Sequence, residues 1–327
     1  MSTSTFLKTF AVIVTYNGAP WLQRCLDSLS LSVPVPAIIV VDNASTDSTL
    51  QIASAHVGVT LIETGANLGF GRANNIGIAC ALNRGADFVF ILNQDAHVAV
   101  NAIQLLVQAA IANPNTGILC PMQLNEAGTG IDPTFLHHYL APNVPALIND
   151  AVLSSMAESY VASALPAAAW LFSDHFLMEV GGFDPLFFMY CEDDDLCSRA
   201  TFMGYEVRIV PASTFYHCRG FHEKTSSESV LQKITRKASR LRSLLVRDAK
   251  APGKKFSTSV WRSCVMRLAE GVTQLLNHRD WIMCVASIFA VCQVLTELHR
   301  IIRHREVCMG KGAHWLSLNT PNETFKE

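Results

Sequence analysis

The sequence predicts an α/β fold in which a mostly parallel sheet is covered by helices and followed by a helical C-terminal region. Short, almost wholly apolar runs rich in β-branched residues alternate with segments whose apolar residues recur at helical spacing. Strands that are apolar on both faces are typical of a parallel sheet enclosed by helices. Beyond about residue 226 this alternation stops, and the chain becomes basic and helical.

Seven apolar runs are predicted to be buried strands. They cover residues 10–14, 37–41, 59–62, 88–92, 117–120, 166–172 and 207–210. The last run stops before Pro211, and we expect His217 to lie in the loop that follows.

Helices are predicted between these strands wherever apolar residues fall on one face. They cover residues 21–31, 49–56, 73–83, 103–111 and 174–180. The polar loop at 42–47 also supplies a cap for the second helix. Residues 123–165 have prolines and weak periodicity, and we interpret them as a variable lobe over the active site.

Polar residues follow three of the predicted strands. They are Thr15 to Asn17, Asp42 with Asn43, and Asn93 to Asp95. Open parallel sheets bind ligands at the carboxyl ends of their strands, so we expect the site there. The first strand is not followed by G-x-G-x-x-G, and no P-loop is present, so a dinucleotide fold is not favoured.

Four consecutive acids, Glu192 to Asp195, follow an aromatic and apolar run and lead into a helical pattern. Each carboxylate raises the pKa of its neighbours, and a helix N-terminus favours negative charge. A glycine-containing turn at 181–185 precedes the run. We therefore interpret these acids as positioned functional groups; a solvated acidic loop is the alternative.

Charge divides the chain in two. Residues 1–223 hold 7 basic and 19 acidic side chains, whereas residues 224–327 hold 18 and 8. We accordingly predict an α/β domain at 1–225 and a basic, amphipathic helical region at 226–327. The apolar stretch 281–295 would extend roughly 22 Å, short of the ~30 Å hydrocarbon core of a membrane.

We expect this stretch to pack against the domain or to lie in a membrane surface. A membrane-spanning helix and an ordinary solvated helical bundle are the alternatives. Basic and aromatic residues do not interleave as in a base-stacking platform, so lipid is favoured over nucleic acid. The ten cysteines form no C-x-x-C pair and no signal peptide opens the chain, which indicates reduced thiols in the cytoplasm.

Six stretches, in this order and spacing, resemble glycosyltransferase family two and its bacterial rhamnosyltransferase-like branch. They are VIVTYN at 12–17, VDNAS at 41–45, NLGF at 67–70, LNQD at 92–95, VGGFD at 180–184 and ED-x-DL at 192–196. The resemblance covers about residues 10–220 and implies the GT-A fold, with a Rossmann-like sheet. It also implies transfer of a sugar from a nucleoside-diphosphate donor.

The resemblance assigns donor-binding roles to the first loops. Asp42 would accept the N3–H of uracil or thymine, although a helix cap is the alternative. Tyr16 would lie against the base. The other expected donor contacts are Thr15, Asn17, Asn67, Gly69, Asn93, Gln94 and Arg72. Arg72 would meet a phosphate or the sugar, and a plain surface arginine is equally compatible.

A divalent cation, Mg²⁺ or Mn²⁺, is implied at residues 93–95, which stand where the family has its D-x-D motif. Asp95 would hold the cation between the two phosphates, since hard cations prefer carboxylate and phosphate oxygens. His217 is the candidate for a further ligand, and its alternative is a surface group.

The general base of the family corresponds to Asp193, with Asp194 as the second candidate and Asp195 as a capping or orienting residue. The implied reaction is an inverting, metal-dependent transfer with dTDP-L-rhamnose as the favoured donor. The acceptor would be a lipid-linked surface glycan at the inner face of the cytoplasmic membrane, which the basic helices would contact. A nucleotidyltransferase or a non-catalytic glycan-binding component are the alternatives, and residues 15–20 lack the Lys or Arg expected of the former.

Overall fold

The computed structural model describes residues 7–218, 229–252 and 256–318. Its strands are β1 (Thr9–Thr15), β2 (Ala37–Asp42), β3 (Val59–Glu63), β4 (Phe88–Asn93), β5 (Ala96–Val98), β6 (Thr116–Asn125), β7 (Tyr160–Ala162), β8 (Ala169–Ser173) and β9 (Glu206–His217). Each of the seven predicted apolar runs contributes to one of them.

Helices fill most of the remaining described chain. They are α1 (Ala19–Ser30), α2 (Thr49–Ala55), α3 (Phe70–Asn83), α4 (Ala102–Ala112), α5 (Pro133–Phe135), α6 (Ala141–Asn143), α7 (Pro145–Val152), α8 (Asp174–Val180), α9 (Glu192–Phe202), α10 (Val230–Lys250), α11 (Phe256–His278), α12 (Trp281–Thr296) and α13 (Leu298–Cys308). A π-helical turn, Leu136–Leu140, lies between α5 and α6.

The strands form one mixed sheet in the order β3-β2-β1-β4-β8-β6-β9-β5, with β7 beside β9. The first four are parallel, β6 and β9 are parallel, and β8 runs antiparallel between β4 and β6. Thr15 lies opposite Asp42, and Val14 lies opposite Asn93. The polar residues that follow β1, β2 and β4 therefore meet at one edge, as the sequence predicts.

Both faces of the sheet are covered. Along β1, Val12 faces a core built with α3, α8 and α9, whereas Ile13 faces a core built with α1, α2 and α4. This alternation explains why the central strands are apolar throughout.

Strand β9 does not end before Pro211, and the prediction of a loop around His217 is wrong. Pro121 pairs with Val210 and Met122 with Thr214, so three extra residues of β9 bulge out between these two pairs. A bulge accommodates proline, which cannot donate a ladder hydrogen bond. The strand then continues to His217, which its register fixes opposite Ala96.

The helical region packs on the α/β domain through a separate apolar cluster. Leu186 and Phe187 from the domain enter it beside Leu245 of α10 and Ala290 of α12. A capping box between Ser229 and Gln232 begins α10. The predicted boundary at residues 225 and 226 lies outside the described residues.

A buried ionic network joins the two parts of the chain. The Lys250 ammonium donates to Asp184 and, at 2.8 Å, to Asp195. Arg199 donates to the other oxygen of Asp195 at 2.9 Å. All four side chains are at most 5% exposed. Buried charges cost free energy unless they are paired, so each depends on the others.

The surroundings complete this network. Arg199 also donates to the carbonyl oxygens of Val180 and Gly182, at 2.8 and 2.6 Å. Burial raises the pKa of Asp184, but the hydrogen bond from His304 and the charge of Lys250 outweigh burial. The pKa of Asp184 therefore stays below its ordinary range. Trp315 covers Arg199 with 5.0 Å between the guanidinium carbon and the ring centroid.

No single helix in residues 7–218, 229–252 and 256–318 is long and apolar enough to cross a membrane. Helices α12 and α13 together have the length and composition for a bent span, with 67° between them.

Replacing Lys250 with Met should lower stability by about 3–5 kcal/mol, because two buried carboxylates lose their shared cation. The control is Lys237→Met, since Lys237 and its partner Asp280 are 36% and 34% exposed. Its loss should be no more than about 1 kcal/mol. Urea unfolding at neutral pH measures both midpoints, and equal losses would contradict the role given to the network.

Candidate active site

A cavity of about 170 Å³, here called the edge cavity, opens at the carboxyl ends of β1, β2 and β4. Six of the predicted donor or metal residues line it. They are Tyr16, Asn67, Gly69, Asn93, Gln94 and Asp95. Residues far apart in sequence thus converge where the sheet topology brings their strands together.

The Gln94 side chain fixes the loop after β1. Its Oε1 accepts from the Tyr16 N–H at 3.0 Å, and its Nε2 donates to the Tyr16 carbonyl oxygen at 3.1 Å. A Cβ on Gly18 would lie 2.0 Å from Oε1, so a larger residue there would displace the Gln94 side chain from this clamp. This clamp leaves the Tyr16 ring about half exposed at the mouth of the cavity.

Thr15, Asn17 and Asp42 lie behind the cavity and do not line it. Asp42 is 1% exposed and accepts from Thr15 Oγ1 at 2.8 Å and from the Ser45 N–H at 2.9 Å. Asn17 accepts from the N–H of Thr46. These contacts brace the loops that carry Tyr16, and Asp42 does not cap a helix.

A second cavity of about 270 Å³, here called the acid cavity, shares Phe70, Asn93 and Met189 with the edge cavity. Asp193 and His217 line it, as the predicted assembly of the site requires. Its wall also includes four residues that the sequence reasoning did not select. They are Glu192, Gln123, Tyr139 and Tyr190.

Asp95 and His217 connect the two cavities, with 3.2 Å between Oδ1 and Nε2. Adjacent ligands of an octahedral cation held at about 2.1 Å are about 3 Å apart, so both atoms could ligate one cation. The Gln123 Nε2 lies 3.0 Å from His217 Nδ1, while its Oε1 is buried without a partner among the described residues. If the Gln123 amide were rotated by 180°, its Oε1 would accept from the His217 Nδ1–H. The Nε2 of His217 would then be free to bind a metal.

The four acids form the first turn of α9, so a solvated acidic loop is ruled out. Tyr190 and Cys191, directly before them, have φ of 71° and 69°, a left-handed conformation that is unfavourable for non-glycine residues. Strain of this kind occurs at functional sites. Here it turns the chain so that Glu192 and Asp193 face the acid cavity.

Burial and, to a smaller extent, the charge of Asp194 raise the pKa of Asp193 to about 6. Burial and, to a smaller extent, the charge of Asp193 raise the pKa of Glu192 to about 8. Glu192 Oε2 is buried and has no hydrogen-bond partner in the described chain. Near pH 7 the site therefore holds one protonated and one mostly ionised carboxyl group, an arrangement suited to proton transfer.

The other two acids are used elsewhere. Asp194 pairs with Arg247 at 2.8 Å, and Asp195 belongs to the buried network of Lys250. Neither lines the acid cavity.

Arg72 does not reach either cavity. The helix predicted to start at residue 73 starts at Phe70, which places Arg72 in the first turn of α3. Its guanidinium donates to the carbonyl oxygen of Pro185 at 3.0 Å, on the far side of the 187–189 segment.

Comparison with known proteins identifies the relatives of this chain. The family model described as glycosyl transferase family 2 matches residues 10–153. N-acetylglucosaminyl-diphospho-decaprenol L-rhamnosyltransferase of Mycobacterium tuberculosis is 34% identical over 232 residues, covering 63% of this chain and 74% of the relative. Rhamnosyltransferase WbbL of Escherichia coli is 26% identical over 227 residues, covering 64% and 82%.

Solved structures share the GT-A architecture. The mannosyltransferase PcManGT of Pyrobaculum calidifontis, in complex with GDP-Man and Mn²⁺, superposes with a TM-score of 0.54 at 18% identity, covering 89% of this chain and 87% of that one. Residues 1–349 of TarS from Staphylococcus aureus, with UDP-GlcNAc, give 0.53 at 16% identity, covering 93% and 88%.

Replacing Glu192 with Gln should stabilise the protein increasingly as pH rises. The raised pKa of Glu192 means that its contribution to stability is complete below its ordinary pKa and is lost as pH rises through about 8. Glutamine cannot ionise, so the melting temperature of the variant relative to wild type should be higher at about pH 9 than at about pH 5. Exposed Glu158→Gln is the control, and equal pH dependence of the two variants would refute this account.

Proposed function

Because the chain belongs to glycosyl transferase family 2 and to its rhamnosyltransferase-like branch, we propose that it transfers L-rhamnose from dTDP-L-rhamnose to a hydroxyl of a lipid-linked glycan. The observation that carries this proposal is the meeting of two cavities at the carboxyl edge of the sheet. One holds Asp95, the other holds Asp193, and His217 lies between them.

The donor nucleotide would occupy the edge cavity, with the base against the exposed Tyr16 ring. Asp42 would affect base binding indirectly, by holding the loop that carries Tyr16. Its carboxylate accepts a hydrogen bond from the Ser45 hydroxyl at 2.5 Å. Asn67, Gly69 and Asn93 would line the path toward the sugar. The rhamnosyl group would then lie at the wall shared with the acid cavity.

Asp95 and His217 would hold a divalent cation. Such an ion would supply positive charge to the departing diphosphate. An imidazole beside a carboxylate favours Mn²⁺ over Mg²⁺, which prefers oxygen ligands. Asp95 and His217 would supply two ligands, so donor phosphates and water would complete the coordination.

Asp193 would be the general base. Its carboxylate would take the proton from the acceptor hydroxyl as that oxygen bonds to the anomeric carbon and the bond to the diphosphate breaks, inverting the configuration. Asp193 is preferred to Asp194 because it faces the acid cavity, whereas Asp194 is paired with Arg247. Protonated Glu192 beside it could donate a hydrogen bond to the acceptor.

The proposed acceptor is a glycan on a lipid diphosphate, as in the name of the mycobacterial relative. We propose residues 226–327 as the part that contacts the inner face of the cytoplasmic membrane. Apolar side chains exposed on α11 and α12 support this role. They include Trp261, Leu276, Trp281, Ile288 and Phe289.

Asp193→Asn should lower the rate of transfer by at least about 100-fold while leaving the donor-induced thermal shift intact. Asp194→Asn, which removes a partner of Arg247, should lower the rate of transfer far less. Release of dTDP in the presence of both substrates measures the rate and separates an enzyme from a glycan-binding protein. Similar losses in both variants would count against Asp193 as the base.

The rate of transfer by the wild-type enzyme should rise with pH through about 6 and then level off, because the base is active when deprotonated and its pKa is raised to about 6. Initial rates across a series of buffers measure this. A rate already constant below about pH 5 would exclude Asp193 in this protonation state.

His217→Ala should raise the Mn²⁺ concentration required for half-maximal activity by at least about tenfold. Mn²⁺ titration by electron paramagnetic resonance gives a second readout that does not depend on turnover. His175→Ala is the control because that imidazole is 67% exposed and on another surface. Unchanged Mn²⁺ affinity in the His217 variant would remove this ligand from the site.

A further inference from the structure

A third cavity, of about 280 Å³, lies where the α/β domain meets the helical region. Three arginines from separate helices line this arginine cavity: Arg72 of α3, Arg242 of α10 and Arg300 of α13. The described residues that line it include no acid. Three cations drawn to one cavity from distant parts of the chain repel one another, which costs free energy unless an anion shares the space.

Within the described part of the chain, internal contacts compensate only one of these charges. Arg242 pairs with Glu297 and donates to the carbonyl oxygen of Leu186 at 3.1 Å. Arg72 donates to a neutral carbonyl, that of Pro185. Arg300 is exposed, and its guanidinium has no hydrogen bond or ion pair within the described ranges. Two of the three arginines therefore have no acidic partner among the described residues.

The arginine cavity adjoins the proposed active site. Asn67 lines both it and the edge cavity, and Phe188 lines it while the next residue, Met189, lines the other two. The backbone here is tightly packed: the Phe70 N–H donates to the Phe188 carbonyl oxygen at 3.1 Å. A Cβ on Gly69, which has φ of 84°, would lie 2.2 Å from that oxygen. One layer of chain separates the cavities.

Exposed apolar side chains lie on α12, the helix that precedes Arg300. Ile288, Phe289 and Leu295 on α12 are all about half exposed. The chain bends by 67° between α12 and α13, and Arg300 lies in the first turn of α13. Apolar side chains followed by arginine are the arrangement that binds a lipid chain and its charged head group together.

We propose that the arginine cavity binds the phosphate or diphosphate head group of a membrane lipid, the carrier of the acceptor glycan. This inference rests on the proposed function and adds the residues that hold the acceptor. Arginine forms paired hydrogen bonds with phosphate oxygens, so Arg72 and Arg300 would grip the head group from two sides. The glycan would then cross the exposed rim of Phe188 and Met189 to reach Asp193.

Vesicle binding by the full chain tests this directly. Phosphatidylcholine vesicles carrying geranylgeranyl diphosphate would be compared with vesicles carrying phosphatidylglycerol at equal surface charge. The wild-type protein should prefer the diphosphate vesicles, and Arg300→Gln should weaken that binding roughly tenfold. Because Arg300 has no partner in the described structure, the substitution should not disturb folding.

Arg303→Gln is the matched control, since Arg303 is exposed one turn further along α13 and does not line the cavity. It should retain the preference for diphosphate. Equal binding to both vesicle types by the wild type would overturn the proposal, and so would equal effects of the two variants.

Inorganic diphosphate distinguishes a lipid head group from a free anion. Competition with the diphosphate vesicles in the wild type, but not in Arg300→Gln, supports the proposal. Binding of inorganic diphosphate through Arg300 without any effect of Arg300→Gln on vesicle binding would assign the cavity to a free anion and overturn the lipid part.

Kinetics separate failure of this inference from failure of the proposed function. Arg300→Gln should raise KM for a lipid-diphosphate acceptor roughly tenfold more than KM for a soluble glycoside that lacks diphosphate. A parallel change in the two KM values would overturn the arginine site while rhamnosyl transfer stands. Absence of transfer to either acceptor by the wild type would instead refute the proposed function.

Discussion

The buried pairing of Lys250 with Asp184 and Asp195 is the interaction on which the geometry of the site depends. Like charges crowd the first turn of α9, and only two of its four acids face the acid cavity. Asp195 is held from below by Lys250 and Arg199, which fixes the rotation of the helix. That rotation, together with the left-handed Tyr190 and Cys191, directs Asp193 to the cavity.

The same network shows why the helical region is not a detachable appendage. Its lysine neutralises acids of the α/β domain, and Leu186 and Phe187 of the domain fill its apolar cluster. The buried ions set position more than they add stability, because desolvation offsets much of the attraction between them. The proposed membrane contact through α12 and the proposed catalysis at α9 would therefore belong to one packed structure.

Much of the fold could be predicted from sequence because apolar runs such as Phe88–Asn93 have few alternatives to a buried strand. The convergence of Asp95 with Asn93 and Tyr16 followed from the parallel topology. The continuation of β9 to His217 could not be predicted, since it depends on a bulge that only the pairing with β6 reveals. The contacts of Arg72 and Lys250 could not be predicted from sequence either, because their partners lie 113 and 66 residues away in the chain.

The last described residues have a consequence for how the protein is made. Trp315 covers Arg199, and Leu316 enters the core of the α/β domain. Domains generally fold as units while the ribosome delivers them from the N-terminus. Here, Asp184, Asp195 and Arg199 emerge long before Lys250 and Trp315 can enclose them. Packing of the first turn of α9 must consequently await translation at least as far as Trp315.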